Sequence, residues 1–171
     1  MSLDVATSAD AATLANLLEL YVHELSGIFP DVVLGPDGRF GYPTLPLYWS
    51  EPDRRFAFLI RADSQLAGFV LATRGSPASA DPEVFDVAEF FVLRRYRRTG
   101  VGRRAALMLW RRFPRTWTIR VAESNAAGLG FWRDAVQAAV GNRSAVETRP
   151  GKGTSWRIYS FDTTVLGDAR E

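Results

Sequence analysis

Val92-Leu93-Arg94-Arg95-Tyr96-Arg97-Arg98-Thr99-Gly100-Val101-Gly102-Arg103-Arg104 is the stretch on which the fold turns. On one side lies an apolar, β-like run from Val84 to Leu93, interrupted by Asp86 and Glu89; on the other lies a helix-compatible run from Ala105 to Trp110. Two glycines one residue apart at a strand-to-helix junction let the backbone turn so that several N–H groups share one concavity. The positive end of the following helix adds to it, which makes an anion seat. Arg103 and Arg104 oppose the helix macrodipole in the first turn, at about 0.3–1 kcal/mol each. A multiply charged anion such as a pyrophosphate would reverse that misfit, and a tight turn with a solvated arginine face is the alternative reading of the same letters.

The charge pattern widens the argument. From Phe90 to Ala122 there are ten arginines (94, 95, 97, 98, 103, 104, 111, 112, 115 and 120) and no acidic residue, a block of +10. The rest of the chain, eleven basic against nineteen acidic residues, carries −8, so the net +2 conceals one concentrated site for an anion. With 171 residues, 47% of them hydrophobic and 23% charged, a single domain over 1–171 with a full core is expected, and a disordered or collagen-like chain is excluded. Cysteine is absent, which removes disulfides, thiolate metal sites and a cysteine nucleophile. One histidine leaves zinc chemistry and a serine-histidine relay poorly supplied, so no metal is expected. No apolar run approaches the ~18 residues of a membrane span. The N-terminus, with Asp4 and Asp10, shows no signal core, and the expected setting is soluble and cytoplasmic, without a membrane partner.

Working outward, Leu3 to Ala6 reads as a short strand. A helix follows with Leu14, Leu17, Leu18, Tyr21, Val22 and Leu25 on one side. Gly27 to Pro52 interleaves Gly and Pro with Phe29, Phe40, Tyr42, Tyr48 and Trp49, and reads either as a substrate wall or as a packed irregular segment. Phe56 to Arg61 and Leu66 to Thr73 form a hairpin at Asp63-Ser64. After the arginine block come a strand (Trp117 to Ala122), a helix (Ala126 to Val140) and two strands (Ser144 to Thr148, Ser155 to Phe161). The sum is a mixed α/β architecture around one sheet. A dinucleotide fold is disfavoured because no third glycine follows Gly102, and Gly151-Lys152-Gly153-Thr154 lacks phosphate-loop spacing and reads as a hairpin turn.

Arg97-x-x-Gly100-x-Gly102, with Val92 closing the strand before it, resembles the acetyl-CoA-binding signature of the Gcn5-related N-acetyltransferase (GNAT) superfamily. Glu89-Phe90-Phe91-Val92 looks like the corresponding strand of diamine acetyltransferases. Asn125-Ala126-Ala127-Gly128-Leu129-Gly130-Phe131-Trp132 is similar to the superfamily's second motif. The resemblance implies the GNAT fold, a central and mostly antiparallel sheet of about seven strands flanked by helices. It also implies transfer of an acetyl group from acetyl-CoA to a primary amine by direct attack in a ternary complex. Phe91, Val92, Arg97, Arg98, Thr99, Gly100, Val101, Gly102, Arg103, Asn125 and Trp132 would then contact acetyl-CoA, and the strand after Trp117 would splay away to admit its arm.

Two carboxylates compete for the role of base. The superfamily often places it where Asp86 stands, while the diamine acetyltransferases favour the place of Glu89; alternation sets the two on opposite faces unless a bulge intervenes. Trp132 departs from the usual acidic tyrosine, with Tyr159, Tyr42 and Tyr48 as substitutes, and Gly128 replaces a small alanine. The expected partner is a small-molecule amine, with a homodimer as an option and no nucleic acid. An acyl-CoA-binding sensor of the same fold and a nucleic-acid module using Arg94-Arg95-Tyr96-Arg97-Arg98 stand as alternatives.

Overall fold

The computed structural model describes residues 1–166, so the last five residues of the expected 1–171 domain lie outside the described part. Its strands are β1 (Ser2–Val5), β2 (Arg55–Ala62), β3 (Gln65–Arg74), β4 (Phe85–Val92), β5 (Thr116–Ala122), β6 (Ser144–Gly151) and β7 (Thr154–Asp162). They form one sheet in the order β1-β2-β3-β4-β5-β7-β6. The helices are α1 (Ala11–Ser26), α2 (Leu47–Ser50), α3 (Val101–Arg112) and α4 (Ala126–Val140). This is the seven-stranded, helix-flanked sheet that the resemblance implied. Among the described residues no helix is long and apolar enough to cross a membrane.

Period-two alternation gives the sheet two apolar faces. Ala57, Leu59, Phe69, Leu71 and Phe91 pack against Leu14, Leu17 and Leu18 of α1 and Tyr48 of α2. On the other face Phe58, Ile60, Val70, Phe85 and Val87 pack against Val101, Ala105 and Leu109 of α3 and Trp132 and Val136 of α4. The β2-β3 hairpin turns at Asp63 and Ser64, both left-handed (φ 49° and 63°), the geometry a two-residue turn needs to follow the strand twist.

Two irregularities position the site. β4 and β5 run parallel and pair only at Phe85 with Trp117 and Asp86 with Thr118, so a gap opens toward their carboxyl ends. Along β4, Leu71 faces Glu89 but Ala72 faces Val87; Ala88 is therefore a bulged extra residue. Gly68 of β3 lies where an added Cβ would stand 2.0 Å from the Phe91 carbonyl oxygen, and this close approach holds the end of β4 against β3.

In α4, Gly128 makes room for its own cap. The Asn125 Oδ1 accepts the Gly128 N–H at 2.9 Å, and a Cβ on Gly128 would stand 2.6 Å from the Asn125 Nδ2. Gly130 has nothing within 4 Å of an added Cβ and carries no positive φ. Gly130→Ala should therefore stabilise the helix by about 0.5–1 kcal/mol and raise Tm by about 1–4 °C in a thermal melt.

Candidate active site

The turn between β4 and α3 is built from conformations that withdraw backbone donors from internal pairing. Arg98 has φ 61° and Gly100 has φ 85°, both left-handed, and the first α3 bond runs from the Arg104 N–H to the Gly100 carbonyl at 3.0 Å. The backbone N–H groups of Arg98, Thr99, Gly100, Val101, Gly102 and Arg103 consequently have no acceptor among the described residues. Such a run of donors ahead of a helix N-terminus is the anion concavity expected from the sequence. Gly102 seats the helix: an added Cβ would lie 3.1 Å from the Phe131 ring and 3.6 Å from Val92 Cγ2.

The arginines divide into two groups. Arg97 turns back, its Nε donating to the Val92 carbonyl at 2.7 Å and its Nη2 to Glu24 at 2.8 Å, and Arg94 also pairs with Glu24. Arg97 thus fastens the turn to α1. Arg98, Arg103 and Arg104 are exposed and make no ion pair among the described residues.

The end of β4 borders the gap. The Leu93 N–H donates to the Ala67 carbonyl of β3 at 2.8 Å, so by alternation the peptide groups of Phe91 also face β3. Those of Phe90 and Val92 then face the opening toward β5. Asn125, beyond the end of β5, spends its side chain on capping α4. Trp132 is 8% exposed, packed among Phe90, Phe131 and Trp110 on the α3-α4 face.

The bulge at Ala88 brings Asp86 and Glu89 to the same face, the one covered by α1. Their environments are nonetheless opposite. Asp86 is fully buried: its Oδ1 accepts from Ser76 Oγ (3.0 Å), Thr118 Oγ1 (2.7 Å) and Arg120 Nε (3.2 Å), and its Oδ2 accepts from Arg120 Nη2 (2.8 Å). Each partner repays part of the large desolvation penalty of that charge. The carboxylate has no opening to solvent through which to meet a substrate.

Glu89 lies on the floor of an open cleft of about 320 Å³. Tyr21 of α1 donates to its Oε2 at 2.6 Å and Tyr42 to its Oε1 at 2.9 Å. Burial raises the Glu89 carboxyl above its ordinary range, against the opposing pull of the two hydroxyls and of the Arg120 charge. Burial and the adjacent Glu89 also push both tyrosines up, so they stay protonated donors.

The 27–52 segment is a wall at one end and packing at the other. Glu19 accepts the N–H groups of Phe40 (2.8 Å) and Gly41 (2.9 Å), bonds that hold its carboxyl below the usual range and pin the segment to α1. Phe29 stacks on Trp156 of β7. Tyr48 of α2 is buried against the core, its hydroxyl pushed up to about 12 by burial, and Trp49 Nε1 donates to the Ala6 carbonyl. Sequence reasoning missed Tyr21 and Arg120 as site residues. Each carried a signal: a hydroxyl inside an apolar helical stripe, and a charge between Ile119 and Val121, both requiring a buried partner.

No curated protein matches the chain by sequence. Among solved structures, ribosomal-protein-alanine N-acetyltransferase from Brucella melitensis superposes with a TM-score of 0.64 at 14% identity, covering 95% of this chain and 99% of that one. An acetyltransferase from Thermus thermophilus gives 0.63 at 19% identity, covering 95% and 97%. The PaiA N-acetyltransferase from Thermoplasma acidophilum, solved with coenzyme A, gives 0.59 at 15% identity, covering 95% and 99%. These likenesses establish the fold. Residues 16–135, well over half of the sequence, match the Acetyltransferase (GNAT) family, and the chain belongs to that family.

Proposed function

We propose that the chain is an N-acetyltransferase that uses acetyl-CoA to acetylate a primary amine. The observation that carries the reading is the junction of two features on one strand: unpaired N–H groups beyond the end of β4, and a solvent-reached, tyrosine-bound carboxylate three residues before Val92. When bound, acetyl-CoA supplies the activated acyl group. The residues present fit it: the N–H groups of Arg98 to Arg103 suit a pyrophosphate, Arg98, Arg103 and Arg104 add positive charge, and the peptide groups of Phe90 with the N–H of Val92 suit an extended amide arm. The Val92 N–H also suits a carbonyl oxygen that gains negative charge.

Glu89 is the base in this reading. Its raised pKa brings it closer to the proton affinity an amine base needs, and its cleft admits an ammonium. Asp86 positions instead: it holds Arg120, whose charge keeps Glu89 ionisable, and it braces the point where β4 and β5 part. Trp132 contributes packing under Phe90 rather than an acidic proton. Holding amine and acyl donor side by side does much of the remaining work, which suits a chain without cysteine.

The test is direct. Acetyl-CoA at millimolar concentration is expected to raise Tm by several degrees, and a panel of primary amines is expected to release free CoA. Stabilisation without release on any amine would favour the sensor, and neither effect would sink both readings.

A further inference from the structure

We infer that the acceptor is a primary amine bearing an apolar substituent and no carboxylate beside the nitrogen, an alkylamine or arylalkylamine. The inference rests on the acetyltransferase reading and concerns the second substrate of the same site. The cleft above Glu89 is walled by Val22 and Leu25 of α1 and by Val32, Val33 and Phe40 of the facing segment. Val33 is 72% exposed and its neighbour Leu34 is 55% exposed, so the apolar surface continues past the mouth. The floor is acidic and offers an ammonium one hydrogen-bonded carboxylate. Apart from Asp31, the side chains of those walls offer whatever is attached to that ammonium hydrocarbon and an aromatic ring.

The charges around the cleft exclude other amine classes. No lysine or arginine lines it among the described residues. Arg120, whose charge reaches Glu89, has its Nε and Nη2 committed to Asp86. At the rim, the Lys152 Nζ faces Asp31 at 4.0 Å. An α-amino acid would therefore bring its carboxylate beside Glu89 with no lysine or arginine in the lining to receive it. A polyamine would lay its further ammonium groups along Val22, Leu25 and Val32, trading hydration for aliphatic walls, with Asp31 as the single carboxylate on that side.

A matched set of amines separates these cases: butylamine, hexylamine, 2-phenylethylamine, phenylalanine and spermidine, each assayed for CoA release from acetyl-CoA by the full chain. We expect kcat/KM to rise about threefold per methylene from butylamine to hexylamine. 2-Phenylethylamine should exceed phenylalanine and spermidine by at least about tenfold. Val33→Asn, at an exposed position where folding is not at stake, should raise KM for hexylamine about fivefold. Preference for spermidine or phenylalanine, a flat alkyl series, or an unchanged KM in the Val33 variant would overturn this inference and leave the acetyltransferase reading standing. Release with none of the amines would overturn both.

Discussion

Glu89→Gln should lower kcat near neutral pH by about 10²- to 10⁴-fold, the contribution general bases make, while acetyl-CoA still binds. The amide keeps the shape of the carboxylate: Tyr21 and Tyr42 donate to separate oxygens of Glu89 at 2.6 and 2.9 Å, and in glutamine the oxygen still accepts from one hydroxyl while the NH2 donates to the oxygen of the other. What it loses is the ability to take a proton from the amine. In the parent protein, kcat should fall as pH drops through the Glu89 pKa, at a pH above the ordinary carboxylate range because burial raises that value. The acid limb should be absent from the variant. Stability gives an independent readout with the opposite sign. A carboxyl whose folded pKa is raised contributes stability below its unfolded pKa, and that contribution is lost as pH rises through the folded value. Above its raised folded pKa the ionised Glu89 is thus a cost that the amide removes, so in that range the Tm of the variant should equal or exceed that of the parent. A variant with full kcat would remove Glu89 from the reaction, and one with a collapsed Tm would make its role structural.

The choice between Glu89 and Asp86 shows where sequence reading stops. Strand, glycine turn and helix were legible from residues 84 to 112 because each depends on local chemistry: an apolar run, two glycines, and an apolar stripe after them. The bulge at Ala88 was not, since it arises from the register of β4 against β3, a non-local property that leaves no mark in the letters. Without it, alternation puts the two carboxylates on opposite faces; with it, both face α1 and differ in solvent access instead. The arginine block was read by its total charge, yet its members do different work. Arg120 is locked to Asp86 and Arg97 to Glu24 and the Val92 carbonyl, whereas Arg98, Arg103 and Arg104 are exposed without an ion pair among the described residues. The 27–52 segment divides, because Tyr42 reaches Glu89 at the cleft while Tyr48 of α2 is buried in the core. An aromatic residue in an irregular stretch carries no periodicity to tell wall from core.

Gly100→Asp should weaken acetyl-CoA binding by at least about a hundredfold, measured by calorimetry or thermal shift. An added Cβ at Gly100 meets nothing within 4 Å, so the side chain would project into open space beside the unpaired N–H groups. Its carboxylate would compete for those donors and repel a bound phosphate. Losing two charge-assisted hydrogen bonds, at about 1.5–3 kcal/mol each, already accounts for that factor. The left-handed φ of 85° adds strain, and Gly100→Asn isolates it: asparagine tolerates this conformation about as well as aspartate and carries no charge. The asparagine variant should therefore stay within about tenfold of the parent, and the gap between the two variants should narrow as salt screens the carboxylate. Gly102→Glu should be as severe for a second reason. Its Cβ would stand 3.1 Å from Phe131, so that ring must give by a few tenths of an ångström before any charge is considered. Unchanged affinity in both acidic variants would mean that the anion binds elsewhere, whereas equal losses in the aspartate and asparagine variants would make Gly100 a matter of backbone geometry alone.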